Sequence, residues 1–420
     1  MTGTRSTPSS PTPPMPPMPP MHRTPLRALG PPRRERLPTG VPVWVVTRYA
    51  DVRRVLTDHR IGRASMFAPG APPVATAPGF LDDPASLLNL DGEEHRRLRQ
   101  TVQRAFTPRA VARWRPWVAS VVEDLLDELE RQGPPADLIA GFVEPLPSTV
   151  ICRLMALEGH DTAAMSRWSS VALSRGAYTP EEVQEALAEF GSFMAGLLAA
   201  RRADPGDDLV SGLVAAADEE SGTGSAAGGI DESRLVSLAR VLVVAGMETT
   251  QVALGNSILY LLDEAPEAWR RLSEAGTEDE AGAAPLVEQL LRLIPRVDVS
   301  AGDGILRQAT ADIEIGGVAV AAGDVLAVDI LAAGRDPEVF APDLCAGTDR
   351  LFSPLPAQSL AFGAGPHHCL GAWLARMTME LALHRLAHRM PGLRLTGPMD
   401  AIEWRRGMRT RSPLRLEVAW

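Results

Sequence analysis

The segment Phe362-Gly-Ala-Gly-Pro-His-His-Cys-Leu-Gly371 constrains this chain more than any other stretch of it. Its glycines permit close approach of the backbone to a flat ligand, and Pro366 stiffens the loop. Cys369 stands where an apolar stretch predicts a helix from about residue 370 to 388. Free amides and the helix dipole stabilise a thiolate at such a position, and an anionic sulfur ligand to iron requires that environment.

Two other interpretations of this loop rest on the same residues. A lone cysteine at a helix start is most often a small buried hydrophobic residue. A zinc site is the other alternative, but His367, His368 and Cys369 are contiguous, and contiguous side chains do not easily converge on one tetrahedral ion. The sequence shows no second pair of ligands for zinc.

The loop resembles the haem-binding loop of the cytochromes P450, which runs Phe-Gly-x-Gly-x-His-x-Cys-x-Gly. The resemblance extends over roughly Gly40 to Trp420, in the order typical of soluble bacterial members. It implies that Cys369 is the axial thiolate of the iron of haem b, where it favours O–O cleavage. Cys152 and Cys345 match no ligand position and are expected to be structural. The other fixed positions of the loop are expected to bind the cofactor: Phe362, Gly363, Gly365, His367 and Gly371.

The pattern along the chain predicts a mainly α protein with small β-sheets. The resemblance implies the cytochrome P450 fold, a helical prism around a buried haem. Residues 1–38 contain 12 of the 37 prolines and predict a disordered arm, followed by a single catalytic domain over 39–420. Strands are expected at 43–47, 311–320 and 325–329, with a long loop at 63–88 and a flexible connector at 218–230. Helices are expected at 51–56, 93–106, 108–131, 144–157, 162–174, 180–202, 207–217, 231–264 and 284–293.

A second motif, Ala245-Gly-Met-Glu-Thr-Thr250, lies in the middle of the longest apolar helix pattern. Polar residues embedded there need a reason, and the ordinary one is a hydrogen-bonded Thr pair with a Glu on an exposed face. The motif also resembles the oxygen-activation motif of the same family. That resemblance implies that Thr249 is the hydrogen-bond donor at the oxygen site and that Glu248 belongs to the proton relay from solvent.

Haem carries two propionates, which need fixed cationic partners. His95 and Arg99 are spaced i, i+4 on one predicted helix face, Arg307 follows the turn at Pro295, and His367 sits in the cysteine loop. Each of these residues is ordinary when taken alone. All four match the propionate positions of the family, which implies that they bind the cofactor.

One helix departs from the family pattern. Positions 286–292 resemble a helix that normally presents Glu and Arg at i and i+3, but Gln289 stands where the acid is expected, and Leu344 replaces a further arginine. We predict that Gln289 still hydrogen-bonds Arg292, and that Glu288, about 100° around the helix, faces elsewhere.

Charge and composition limit the partners. A net charge of −10 argues against a chain-wide grip on nucleic acid, and no long apolar run free of charges and breakers predicts a membrane span. Three cysteines fit a reducing compartment, and we expect a cytoplasmic protein that is a monomer. No fused reductase is evident, so electrons from NAD(P)H are expected to arrive through a reductase and a separate ferredoxin or flavodoxin. A basic cluster surrounds the first propionate helix: Arg96, Arg97, Arg104, Arg109, Arg113 and Arg115. Such charges often form only a solvated face, but the resemblance implies that this side receives the acidic donor.

Three functions fit these features. The first is a haem-thiolate monooxygenase acting, with O2, on a mid-sized organic substrate such as a natural-product intermediate. The second uses the same oxidant for oxidative C–C or aryl coupling without oxygen insertion. The third is a non-catalytic haem or carrier-protein-binding module, which would not need Thr249 and Glu248. The resemblance implies that the pocket is lined by 63–88, 168–190, the first half of 231–264, 296–300 and 406–409.

Overall fold

The computed structural model describes residues 26–75, 79–157, 159–160, 162–222, 230–276, 282–294, 305–340 and 347–420. These residues form a mainly helical protein with small sheets, which confirms the predicted fold class. The α-helices are α1 (Tyr49–Thr57), α2 (Gly92–Gln103), α3 (Pro108–Ala112), α4 (Arg115–Gln132), α5 (Pro145–Leu154), α6 (Thr162–Ala172), α7 (Pro180–Ala203), α8 (Leu209–Gly222), α9 (Glu232–Asp263), α10 (Pro266–Glu274), α11 (Ala283–Leu293), α12 (Ile330–Ala333), α13 (Thr348–Leu351) and α14 (Ala372–Arg389).

The strands form three small sheets. They are β1 (Arg33–Arg36), β2 (Pro42–Val46), β3 (Ile61–Gly62), β4 (Ala136–Asp137), β5 (Ile305–Ala309), β6 (Ile313–Ile315), β7 (Val318–Val320), β8 (Val325–Val328), β9 (Arg394–Leu395) and β10 (Glu417–Ala419). The largest sheet has the order β1-β2-β8-β5-β3, and its only parallel pair is β2 with β8. The others are β4-β10-β9 and the hairpin β6-β7.

Helix α9 runs through the main hydrophobic core. Asp231 caps it by accepting a hydrogen bond from the backbone N–H of Arg234. The helix is long and apolar enough to cross a membrane, but most of its apolar stretch is buried inside the protein. It packs against α5, α6 and α7, which explains why apolar residues occur all around it. Its central turns therefore reach the interior of the molecule.

Several helices and strands of the structure differ in their bounds from those that the sequence predicts. The predicted arm 1–38 ends too late, because Arg33–Arg36 pair antiparallel with β2 as an edge strand; residues 1–25 lie outside the described residues. The predicted strand 311–320 is the hairpin β6-β7, which turns at Gly316 and Gly317, both with positive φ. Helix α8 extends into the predicted connector. Strand β5 and helix α10 were not predicted.

Candidate active site

The cysteine loop is held by two glycines in the left-handed region. Gly363 has φ of +70° and Gly365 has φ of +69°, conformations that side chains with a Cβ rarely adopt. A Cβ at Gly365 would also lie 2.3 Å from the carbonyl oxygen of Leu56 at the end of α1. The loop closes through a hydrogen bond of 2.9 Å from the backbone N–H of Cys369 to the carbonyl of Phe362. Gly365 therefore shapes the loop by packing against α1, and it does not line the cavity.

A cavity of about 420 Å³ lies between this loop and the middle of α9. Cys369 borders it from one side and Thr249 from α9. Cys369 is exposed to this space, and it precedes the first residue of α14 by three positions, with Gly371 as the N-cap. Predicted site residues that line the cavity are His95, Arg99, Thr249, Arg307, Phe362, Gly363, His367, Cys369 and Gly371. The motif residues are thus brought together from α2, α9, β5 and the cysteine loop.

Cationic groups gather at one end of the cavity. The His95 and His367 rings lie 4.2 Å apart, and Arg307 is 5% exposed. Burial, followed by the charges of His367 and Arg99, lowers the pKa of His95 to about 4. Burial and the charge of Arg63 lower the pKa of Arg307 to about 9. Asp91 opposes both shifts, so this end of the cavity combines buried cationic groups with one carboxylate at its edge.

The donor set fits the cofactor that the motif implies. The Nε2 atom of His95 is buried and has no hydrogen-bond partner among the described residues. Arg99 donates to the carbonyl of His368 at 2.7 Å and so reaches the cysteine loop. Two propionates would supply the missing acceptors and counter-charge, while a flat ring between Cys369 and Thr249 would fill the cavity. His95, Arg99, Arg307 and His367 are thus suitable partners for haem.

Sequence reasoning missed Asp91, which orients part of this cluster. One oxygen of its carboxylate accepts from the backbone N–H groups of Arg63 and Ala64 at 2.6 and 2.7 Å, and the other lies 3.4 Å from Nε2 of His367. Burial raises the pKa of Asp91, but His367 and the two amides outweigh burial and lower it to about 2. Asp91 directly precedes α2, so an N-cap signal was the only hint in the sequence.

Thr249 and Glu248 occupy different environments although they are neighbours on α9. The hydroxyl of Thr249 faces the cavity and donates to the carbonyl of Ala245 at 2.6 Å. Glu248 is 2% exposed and does not line the cavity. Its Oε1 accepts from Arg405 Nη1 at 2.6 Å and from the hydroxyl of Thr410 at 2.8 Å. Thr410 does line the cavity, so it connects Glu248 to that space.

Arg405 and Thr410 are further residues that sequence reasoning missed. Arg405 also donates to the hydroxyl of Ser170 on α6 at 2.9 Å, so it links the C-terminal segment, α6 and α9. The partners are far apart in the chain, and no local pattern marks them. The alternative of an exposed helix face does not hold for Glu248, because its carboxylate is buried and paired with Arg405.

The predicted pocket lining is correct only in part. Leu87 and Leu88 of the long loop and residues of the first half of α9 line the cavity. Residues 168–190 and 406–409 do not line the cavity. Thr410, which follows the second range, reaches the cavity instead. Residues 296–300 lie outside the described residues. Most of the remaining lining is aliphatic and comes from α5, α9 and α14: Pro147, Val150, Ile151, Leu154, Met155, Val241, Leu242, Ala253 and Leu374.

The altered helix pattern has the predicted hydrogen bonds. Gln289 Oε1 accepts from Nε and Nη2 of Arg292 at 3.1 and 2.7 Å, and both residues are buried. Arg292 Nη1 donates to the carbonyl of Gly334 at 2.5 Å, and Gln289 donates to the carbonyl of Ser353 at 3.1 Å. The predicted Gln289–Arg292 contact is confirmed. Leu344 and Cys345 lie outside the described residues.

The structure also shows the surroundings of Glu288 and Cys152. Glu288 faces away from Arg292, as predicted, and it pairs with Arg376 of α14, a contact that the sequence did not predict. The guanidinium of Arg376 in turn lies over the ring of Phe362 at 4.4 Å. Cys152 is buried in the core, which agrees with a structural role.

Comparison with known proteins matches the same features to one family. The family model described as Cytochrome P450 matches residues 180–390. Nocardicin C N-oxygenase of Nocardia uniformis subsp. tsuyamanensis is 39% identical over 401 residues, which cover 94% of each chain. Mycinamicin IV hydroxylase/epoxidase of Micromonospora griseorubida is 38% identical over 397 residues, again covering 94% of each chain.

A solved structure agrees with this result. The crystal structure of cytochrome P450mel 107F1, described as having biaryl coupling reactivity, superposes with a TM-score of 0.79 at 35% identity and covers 93% of each chain. The sequence identity, the coverage and the cysteine loop all indicate the same protein family. The chain belongs to the cytochrome P450 family and is an oxygen-dependent haem oxidoreductase.

Proposed function

We propose that this protein is a monooxygenase that inserts one oxygen atom into a mid-sized organic intermediate of natural-product biosynthesis. The observation that carries this proposal is the placement of Thr249 and Cys369 on one apolar cavity. Relatives named as an N-oxygenase of nocardicin C and a hydroxylase/epoxidase of mycinamicin IV support the substrate class. The aliphatic lining suits an apolar substrate body rather than a highly charged one.

The residues of the chain divide the work between binding and proton supply. Haem supplies the oxygen and electron chemistry when it is bound through Cys369. His95, Arg99, Arg307 and His367 would hold its propionates, and Phe362, Gly363 and Gly371 would be further cofactor contacts, since all of them line the cavity. Thr249 would provide a hydroxyl at the oxygen site, and this hydroxyl donates to the carbonyl of Ala245 in the same helix. The carboxylate of Glu248 is a proton acceptor next to Thr249 in the sequence, and it accepts a hydrogen bond from the hydroxyl of Thr410.

The proposal is tested with a panel of macrolide, β-lactam and polyketide intermediates. A substrate that enters the cavity is expected to displace solvent and move the Soret band from low spin to high spin. The binder is then turned over with O2, NAD(P)H and a ferredoxin–reductase pair, and the product mass is measured. Gain of one oxygen supports the monooxygenase, whereas binding without any oxidised product contradicts it.

Oxidative coupling is the second candidate, because the structural relative at 35% identity is described as having biaryl coupling reactivity. Coupling removes two hydrogens and adds no oxygen, so the same mass measurement separates the two reactions. The non-catalytic module is not retained, because membership of the family makes the chain an oxidoreductase.

The electron donor is proposed to be a separate ferredoxin or flavodoxin that meets a cytoplasmic, monomeric enzyme. Arg104, Arg109 and Arg113 are exposed near the N-terminal end of α4, where they present positive charge to an acidic partner. Arg96 and Arg115 contribute less, because Glu93 and Glu380 pair with them. The exposed ring of Trp373, close to the cysteine loop in sequence, adds an apolar contact.

A further inference from the structure

A groove outside the haem cavity is centred on Arg240 of α9. Two adjoining hollows of about 500 and about 330 Å³ share Arg240 and Asp83. Their walls come from the segment 79–85, from α7 and from the first turns of α9. The next residues of α9, Val241 and Leu242, line the haem cavity instead, so the groove and the cavity are neighbours but distinct.

The acids of this groove already have partners. Asp83 accepts from the hydroxyl of Ser237 at 2.7 Å through one oxygen and from the backbone N–H of Ala85 at 2.9 Å through the other. Glu232 accepts from Arg202 at 3.1 Å. Among the described residues neither acid is paired directly with Arg240, and Asp83 acts on it only as a more distant charge.

Arg240 is a partly buried cation, and no described carboxylate pairs with it. Its guanidinium lies 5.2 Å from the centre of the Phe80 ring and 5.6 Å from that of Phe190. Its Nε is buried and has no hydrogen-bond partner in the part of the chain that the structure describes. Burial lowers the pKa of Arg240, which reports the same lack of compensation, although Asp83 opposes that shift from a distance.

The chemistry of the walls defines the missing ligand. Two aromatic faces hold the guanidinium in place, so little side-chain entropy is lost when it binds an anion. The fork of an arginine matches a carboxylate, and Ser192, Ser233 and Gln184 offer further polar contacts along the hollows. Leu187 and Val236 provide apolar surface for the rest of the molecule.

We propose that the Arg240 groove binds the carboxylate of a small organic acid with an apolar body, at a site separate from the haem cavity. The carboxylate of this acid pairs with Arg240, and the apolar body of the acid lies against Phe80 and Leu187. This inference does not depend on the substrate proposed above, because it concerns binding at a second site.

The test uses 3-phenylpropionate and its neutral counterpart 3-phenylpropanamide as probes of the haem-loaded protein. Calorimetric titration is expected to show that the acid binds at least about tenfold more tightly than the amide, the effect of one charge-assisted hydrogen bond. The Soret band is followed in the same titration and is expected to stay unchanged. Equal affinities for the two probes, no binding of the acid up to its solubility limit, or a Soret shift that saturates with the heat signal would each overturn the proposal.

Variants identify the residue responsible. Arg240→Gln is expected to lower the affinity for the acid to that for the amide, whereas Arg240→Lys keeps the charge and retains part of the preference. Arg234→Gln removes one charge from the same helix outside the groove and is the matched control, expected to bind the acid like the parent. Haem content and thermal unfolding confirm that each variant is folded. If folded Arg240→Gln keeps the full preference for the acid, the site does not exist as proposed.

Discussion

At the scale of single residues, the surroundings of Glu248 decide what it can do. A carboxylate that is 2% exposed is stable in its charged form only with compensating partners, and Arg405 and Thr410 supply them at one oxygen. The ion pair therefore holds a buried carboxylate behind the cavity wall, where Thr410 connects it to the cavity. Arg405 acts through Glu248, so it is a positioning residue.

Removing Arg405 is expected to leave that buried charge uncompensated. Arg405→Ala should lower the free energy of unfolding by about 3–5 kcal/mol, the typical cost of removing one partner of a buried pair. Arg405→Ala/Glu248→Gln should recover part of the loss, because the second change removes the unpaired charge. Urea unfolding of the single and double variants measures both effects. An unchanged midpoint for Arg405→Ala would show that Glu248 has other compensation.

Thr249 is expected to control the fate of the electrons rather than substrate binding. Thr249→Ala removes the hydroxyl from the cavity wall, so protons reach the oxygen site less selectively and hydrogen peroxide should form at the expense of product. The ratio of product to NAD(P)H consumed is the measurement, and the substrate-induced Soret shift should persist. Thr250→Ala, a neighbouring cavity position, is the control and should stay coupled. Tight coupling in Thr249→Ala would contradict the role assigned to this hydroxyl.

At the scale of secondary-structure elements, α11 is held against the segments after it by hydrogen bonds between one charged side chain and neutral acceptors. The guanidinium of Arg292 bonds to Gln289 and to the carbonyl of Gly334, and it lies 4.8 Å from the ring centre of Phe340. One arginine thus joins the helix to the region that follows α12. An amide in place of the acid avoids burying a second charge, which explains why the network survives the substitution.

The contribution of Arg292 to stability can be measured. Arg292→Ala should lower the free energy of unfolding by about 1.5–3 kcal/mol, because hydrogen bonds to a charged group are lost and Gln289 and Gly334 keep buried acceptors. Haem retention should fall with it. Arg270→Ala on the exposed face of α10 is the control, since surface ion pairs contribute little. A parent-like melting temperature and haem content for Arg292→Ala would mean that α11 is anchored by other contacts.

The elements also show where sequence patterns stop being informative. The long apolar pattern of α9 and the spacing in the cysteine loop were sufficient to predict the two sides of the cavity. Strand β1 escaped prediction because its sequence, Arg-Arg-Glu-Arg, is that of a solvated edge and is ordered by pairing with β2. The contacts of Asp91 and Arg405 arise from segments distant in the chain, which local periodicity cannot report.

At the scale of the whole molecule, the net charge of −10 coexists with a cluster of exposed arginines that precedes α4. A negative protein with a local positive face orients an acidic partner toward that face and repels it elsewhere. The exchange of electrons is therefore expected to depend on ionic strength.

Charge reversal tests this arrangement. Arg109→Glu/Arg113→Glu should slow the reduction of the haem by a ferredoxin by about tenfold or more at low salt and should weaken its salt dependence. Stopped-flow reduction measures the rate. Arg270→Glu, a reversal elsewhere on the surface, is the control. An unchanged rate in the double variant would place the docking site on another face.

The central claim is that Cys369 binds the haem iron as a thiolate, and the spectrum of the reduced, carbon monoxide-treated protein tests it most directly. The parent protein should give the red-shifted Soret band for which the family is named. Cys369→His should retain haem through the propionate partners but lose that band, because imidazole replaces the thiolate. Cys369→Ser controls for the loss of sulfur alone and should lose the band as well. Persistence of the band in either folded variant would contradict the account.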